Sequence, residues 1–228
     1  MSIPGIVVAA RVGSTRLPGK ALKDFRGSTV LGSCLARCLS SGLDVILAVP
    51  DTEENMLLRP FEEGGVGFYQ GPEDDVLTRV TEAAHFNGFD PVIRVTGDCP
   101  LTEPGLILAA LALWFEKRRM ADPDVPVMVS NVWPTRTFAK GLDVEVIERV
   151  ALLNLANDSY TSVEAREHVT RNLYGNANFF ATKATRLDGP PSISIFQLVN
   201  NGWWPTADSE PLCVDTPEDL ARLNRGPR

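Results

Sequence analysis

The stretch IVVAARVGSTRLPGKAL, Ile6 to Leu22, joins a short apolar run to a loop with two glycines and three basic residues. The run Ile6 to Ala10 predicts a strand buried on both faces. A buried strand that empties into a glycine-bearing loop is the start of a βα unit, so this one stretch predicts an α/β fold. The loop is not a P-loop, whose G-x-x-x-x-G-K-[ST] spacing wraps backbone N–H groups around a phosphate chain. Five residues separate Gly13 from Gly19, and Ala21 follows Lys20 where a hydroxyl is needed. Pro18 also lacks an N–H. Even so, Arg11, Arg16, Lys20, Lys23 and Arg26 fall within sixteen positions that hold a single acid, Asp24. The loop is predicted to bind an anion.

Working outward, strands alternate with helices. Strands are predicted at Leu43 to Val49, Gly67 to Tyr69, Val92 to Thr96 and Val125 to Ser130. The helices between them are predicted at Thr29 to Leu39, Asp75 to His85 and Pro104 to Lys117. This is the rhythm of right-handed βαβ units, so a three-layer, Rossmann-like α/β fold with a mixed, mostly parallel sheet is expected. Beyond about residue 140 the pattern loosens. Gly141 to Ile147 and Phe179 to Lys183 read as strands around helices Val150 to Ala156 and Val163 to Tyr174. Leu212 to Val214 reads as a last strand, before a helix capped at Thr216-Pro217-Glu218.

Composition narrows the partners. The chain carries formal charge -7, while residues 1 to 50 hold six basic side chains against Asp24 and Asp44. An acidic chain with one cationic loop points away from nucleic acid and toward a small anionic ligand. Its 228 residues, 44 % hydrophobic, suit one large core, so residues 1–228 are expected to form a single domain. No apolar stretch reaches the ~18 residues of a membrane span, and no signal-peptide pattern opens the chain, so a cytoplasmic protein is expected. Cys34 and Cys38 share a predicted helix face with Val30, Leu31 and Leu35 and read as core thiols.

Ligands of open α/β sheets bind beyond the carboxyl ends of the strands. Those positions hold the basic loop, Gly97-Asp98-Cys99-Pro100, Asn131 and Asp215. Two acids beside a phosphate site repel it unless a metal lies between, and magnesium takes one or two carboxylates together with phosphate oxygens. A magnesium nucleotide satisfies these demands. Each acid also has a plainer reading: Asp98 could stabilise a turn, and Asp215 could serve the N-terminus of the last helix.

These residues resemble the cytidylyltransferases that activate acidic sugars, among them the synthetases of CMP-sialic acid and CMP-3-deoxy-manno-octulosonate. The nearest pattern is the branch named after spore coat polysaccharide biosynthesis protein F. It is carried by ARVGSTRLPGKAL, GPEDDVLTRVTEAA (71 to 84), VIRVTGDCPL (92 to 101), SN (130 to 131), GLDVEV (141 to 146), REHVT (166 to 170) and VDTPEDL (214 to 220). The resemblance implies the nucleotide-diphospho-sugar transferase fold and transfer of CMP from CTP to an acidic sugar, for surface polysaccharide or glycan biosynthesis. It implies that Ala10, Arg11, Gly13, Ser14, Arg16 and Lys20 hold the triphosphate, with Arg79 near the cytosine. Asp98 and Asp215 would be magnesium ligands, and Asn131, Arg136, Lys140, Asp143, Glu145, Arg166 and His168 would face the sugar. A homodimer is expected from the same source and from the apolar segment Ser192 to Trp204.

On this reading Arg11, Lys20, Asp98 and Asp215 carry the catalysis, by stabilising negative charge as pyrophosphate leaves. Two other readings stay open. A glycosyltransferase would use the D-x-D-like string Asp122 to Asp124, although that string precedes a predicted strand. A non-catalytic nucleotide-binding protein would have no need of the two acids.

Overall fold

A computed structural model describes residues 3–159, 161–175 and 193–226. Strand β1 (Ile3–Ala9) pairs in parallel with β4 (Asp44–Pro50) on one side and β6 (Phe89–Thr96) on the other. β5 (Gly67–Gly71) extends the parallel run beyond β4. On the far side β8 (Glu145–Ile147) runs antiparallel to β6, β7 (Val127–Ser130) antiparallel to β8, and β9 (Ser194–Gln197) parallel to β7. The sheet order is β5-β4-β1-β6-β8-β7-β9. A separate hairpin joins β2 (Asp24–Phe25) to β3 (Ser28–Thr29).

Alternation along β1 sorts its side chains into two cores. Ile6 and Val8 pack with α1 (Val30–Leu39) and α3 (Pro104–Met120), whereas Val7 packs with α2 (Val76–Phe86) and α4 (Arg149–Asn157). All three are fully buried. A buried branched side chain contributes about 1.5–3 kcal/mol, so slipping the strand by one residue would exchange both sets. Thr29 caps α1 through Gly32 N and Asp75 caps α2 through Thr78 N, each at 2.9 Å. Cys34 and Cys38 are buried free thiols. Among the described residues no helix is long and apolar enough to cross a membrane.

Several expected elements differ. The segment before β5, for which no element was expected, is a 3-10 run, Glu53–Gly64, which interior Pro60 keeps from becoming an α-helix. The expected strand Gly141 to Ile147 shortens to β8 because Asn131 occupies the backbone ahead of it. Asn131 Oδ1 accepts from Val144 N at 2.9 Å, and Nδ2 donates to Leu142 O at 2.7 Å. Leu212 to Val214 is not a strand: Leu212 N donates to Lys140 O and Val214 N to Asp98 O, which tie it to two different loops. The expected helix Val163 to Tyr174 breaks into α5 (Val163–His168) and α6 (Arg171–Gly175), with Val169 between them at φ 59°. The expected strand Phe179 to Lys183 lies outside the described residues. Trp204 packs on Phe138 with ring centroids 5.9 Å apart, while Trp203 is exposed.

Candidate active site

From β1 the chain moves outward to β4 and β5, then returns through α2 to β6 on the other side of β1. That reversal opens a crevice beyond the carboxyl ends of β1 and β6. A cleft of about 620 Å³ occupies it. Arg11, Gly13, Ser14, Arg16 and Lys20 line it from the loop, Arg79 from α2, Asp98 from the end of β6, and His168 and Asp215 from later segments.

Residues 11–20 hold their shape through two anchors. Val12 N donates to Oδ1 of buried Asn55 at 2.8 Å, and Leu17 is buried beside Phe25, Val30, Val214 and Leu223. Gly19, at φ 67°, then turns the chain into the 3-10 turn Lys20–Leu22. The same apolar cluster carries Val214, the neighbour of Asp215, so Leu17 and Val214 bring Lys20 and Asp215 together. Helix α7 (Pro217–Arg225) completes this contact, since Arg26 Nε and Nη2 both donate to Leu223 O.

Lys20 sits between the two acids. Its Nζ lies 2.9 Å from Asp98 Oδ2 and 3.6 Å from Asp215 Oδ1. Arg16 and Lys140 reach Asp215 as well, at 3.0 and 2.8 Å. The two acids are therefore balanced by cations of the chain itself. Burial alone would push the Asp215 carboxyl up, but the Lys140 hydrogen bond and the Lys140, Lys20 and Arg16 charges outweigh it and hold the group below the usual carboxylate range. The helix cap falls to Thr216, whose side chain accepts from Asp219 N, which leaves the Asp215 side chain to the cations. Two protonated thiols face the acids: Cys99 Sγ lies 3.6 Å from Asp98 Oδ1 and Cys213 Sγ 4.0 Å from Asp215 Oδ2. Burial pushes Cys99 well up and Cys213 to about 11.

The remaining sites from the sequence separate into groups. Lys140 arrives at Asp215 because Gly141, at φ 99°, lets the chain lie against Leu212 and Cys213; a Cβ there would be 2.4 Å from Cys213 N. Arg136 pairs with both oxygens of Asp143, the Nη2 to Oδ2 bond being 2.9 Å. Asn131 is fully buried in its backbone clamp. Glu145 is buried beneath Arg94, Thr170 and Tyr174. Arg166 donates to Asp75 at 2.7 Å and to the carbonyls of Ala156 and Asp158, so it fastens α5 to the cap of α2 rather than lining the cleft. Arg79 is buried, with Nη1 on the carbonyls of Pro72 and Glu73 and Nε unpartnered; burial first and Arg11 second lower it to about 10. Glu82 accepts from the Tyr69 hydroxyl at 2.7 Å. Asp122 to Asp124 lie before β7, at its amino end, the opposite end of the sheet from the cleft.

Asn55, Arg94 and Thr170 were not singled out in the sequence. Asn55 sits between two predicted strands in a segment for which no element was expected, and Arg94 alternates along a strand whose neighbours are apolar. Arg94 and Thr170 had a signal, as members of the blocks VIRVTGDCPL and REHVT.

The family model described as cytidylyltransferase matches residues 5–183. The chain belongs to the cytidylyltransferase family. As a cytidylyltransferase it uses CTP, which separates it from the glycosyltransferase and non-catalytic readings. It is 32 % identical over 186 residues to an uncharacterised protein of Methanocaldococcus jannaschii, covering 79 % of this chain and 70 % of that one. It is 28 % identical over 231 residues to a 3-deoxy-manno-octulosonate cytidylyltransferase of Anaeromyxobacter dehalogenans, covering 95 % and 94 %. A solved cytidylyltransferase from Leptospira borgpetersenii superposes with TM-score 0.78 at 26 % identity, over 98 % of this chain and 86 % of that one. CMP:2-keto-3-deoxy-manno-octonic acid synthetase complexed with CTP, at 19 % identity and TM-score 0.63 over 98 % of both chains, shares the fold.

Proposed function

We propose that this cytidylyltransferase transfers CMP from CTP to an acidic sugar of the octulosonic or nonulosonic acid class and releases pyrophosphate. One observation carries the reading: Lys20 lies between Asp98 and Asp215 at the topological switch point, with Arg16 on the outer side of Asp215. A triphosphate entering beside Arg11, Ser14 and Lys20 meets cations at each step of its chain. The relatives that act on 3-deoxy-manno-octulosonate support an acidic acceptor.

In this mechanism the sugar hydroxyl attacks the α-phosphorus in line, the phosphorus–oxygen bond to the β-phosphate breaks, and pyrophosphate departs. Lys20 and Arg11 hold the phosphate oxygens on which negative charge builds, Lys20 from a position that its ion pairs with Asp98 and Asp215 already fix. Arg79 orients the nucleoside end. Lys140 and the Arg136–Asp143 pair, on residues 132–144, face the acceptor. Asn131, Glu145 and Arg166 are committed to holding the frame, so of the residues expected to face the sugar Arg136, Lys140, Asp143 and His168 stay open to a substrate.

Asp98 and Asp215 suit magnesium by their chemistry, since both are hard oxygen donors whose bonds run to cations and thiols. Among the described residues no group of three or more His, Cys, Asp or Glu side chains is arranged to hold a metal, so phosphate oxygens would complete the coordination. When bound, magnesium supplies positive charge to the phosphates. The active form in this proposal is a homodimer, checked by solution scattering at assay concentration.

The deciding assay follows pyrophosphate release from CTP, ATP, GTP and UTP with magnesium and a panel of 3-deoxy-octulosonic, nonulosonic and neutral sugars. Turnover only with CTP and an acidic sugar is expected. Turnover with a neutral sugar alone overturns the acceptor class.

A further inference from the structure

The turn between α5 and α6 is held in a conformation that its own sequence disfavours. Val169 has φ 59° and ψ -64°, and Thr170 N donates back to His168 O at 2.6 Å. This is the strained hand of the γ-turn, and a β-branched residue at positive φ occurs only where its surroundings force it. Val169 is fully buried.

The forcing contacts converge on Glu145. Thr170 Oγ1 donates to its two oxygens at 3.0 and 3.2 Å, the Tyr174 hydroxyl donates to it as well, and Arg94 Nη1 approaches at 2.7 Å. Glu145 lies on β8 and Arg94 on β6, so the turn is bolted to the sheet itself. The outcome is that the helix stops at His168, which stays exposed on the wall of the cleft. Its neighbour Glu167 lies 4.0 Å from Arg11, across the cleft mouth. α5 also packs on α2, the helix that carries Arg79. His168 thus faces the half of the cleft that holds Arg11 and Arg79, whereas Lys140 and Arg136 come from the other side of the sheet.

We propose that His168 contacts CTP in the cleft, and that Thr170 and Glu145 are positioning residues that hold it there through the Val169 turn. The proposal rests on reading the cleft as the CTP site and is independent of which sugar is used. Glu145 would then serve the nucleotide at one remove and not the sugar.

The test is calorimetric titration of the full chain with CTP and magnesium, without sugar. His168→Ala is expected to weaken CTP binding about three- to tenfold, the scale of one hydrogen bond. Thr170→Val, which keeps the shape and removes the hydroxyl, is expected to weaken it to a similar extent, and Thr170→Ser to restore it to within about twofold. In the double variant the loss should be no larger than in His168→Ala alone, because Thr170 acts only through His168. Losses that multiply overturn the proposal. So does a Thr170→Val protein that melts lower yet binds CTP as tightly as wild type, which is what a purely structural bond predicts. If Thr170→Val does not fold, Tyr174→Phe takes its place: a smaller loss that vanishes in the His168→Ala background supports the proposal, and one that persists sinks it. Failure of the cleft reading looks different, because CTP would then bind unchanged to Lys20→Ala.

Discussion

The two carboxylates of the cleft arrive by different routes. Asp98 is delivered by a strand: β6 is locked in register against β1, and Asp98 stands two residues beyond its end. Asp215 is delivered by loops. No strand precedes it, and its position comes from Val214 N on Asp98 O, from Leu212 N on Lys140 O, and from the packing of Val214 against Leu17. Half of the site is therefore a property of the sheet, and half depends on segments that are far apart in sequence. The first half should tolerate substitutions around it, while the second should fail through positions that never touch a substrate.

The sharpest way to break this comparison is to neutralise each acid. Asp98→Asn and Asp215→Asn should each cut turnover by about a hundredfold or more, equivalent to ~2.7 kcal/mol of transition-state stabilisation. Their stabilities should differ. Asp215→Asn leaves Arg16, Lys20 and Lys140 without their shared partner and should melt lower in the absence of metal, whereas Asp98→Asn keeps Lys20 on Asp215. Equal melting temperatures would remove the distinction between the two routes.

Gly141→Ala tests the loop-built half without touching an acid. Its φ of 99° and the 2.4 Å approach of a Cβ to Cys213 N predict a loss of about 2–4 kcal/mol by denaturant unfolding, with turnover falling as Lys140 leaves Asp215. An unchanged denaturation midpoint would mean that residues 139–141 and 212–215 separate at little cost.

Lys20→Ala should raise the dissociation constant for CTP about ten- to a hundredfold, the loss of one charge-assisted contact. It also removes the cation between the acids, so direct magnesium binding without nucleotide should tighten. Calorimetry with each ligand separates the two effects, and unchanged CTP affinity would take Lys20 out of the site.

The smallest effect is in the acid limb of stability. Burial favours the protonated Asp75 carboxyl, but bonds from Thr78 N, Thr78 Oγ1 and Arg166 outweigh it and lower the folded-state pKa. The unfolded chain then takes up its proton first as pH falls through about 4, so the stabilisation is present above that pH and is lost toward the folded value. Asp75→Asn should narrow the gap in melting temperature between about pH 6 and pH 3. A gap that stays constant would show that the carboxylate contributes nothing through its charge.

The same division explains what could be read in advance. The loop, Asp98 and the parallel strands were legible because each is a local pattern: apolar residues, then glycine, then charge. Asp215 was legible only by its place after an apolar triplet, and for the wrong reason, since Leu212 to Val214 is not a strand. Asn131 looked like a binding residue because it is polar and follows a strand, and Glu145 because the family resemblance placed it among the residues facing the sugar. Their burial and saturated bonds depend on partners at Leu142, Arg94 and Tyr174, which no spacing rule connects. The break at Val169 was invisible, because no Gly or Pro interrupts Val163 to Tyr174 and only Glu145 pulls Thr170 aside.

The clasp between Arg26 and Leu223 joins residues separated by 197 positions. Closing a loop of that length costs more conformational entropy than closing the 78 positions between Lys20 and Asp98, and nothing rewards it until the sheet beneath exists. On refolding, the circular-dichroism signal of the sheet should therefore return first and nucleotide binding at Lys20 soon after. Catalytic competence should come back last, when α7 docks and delivers Asp215.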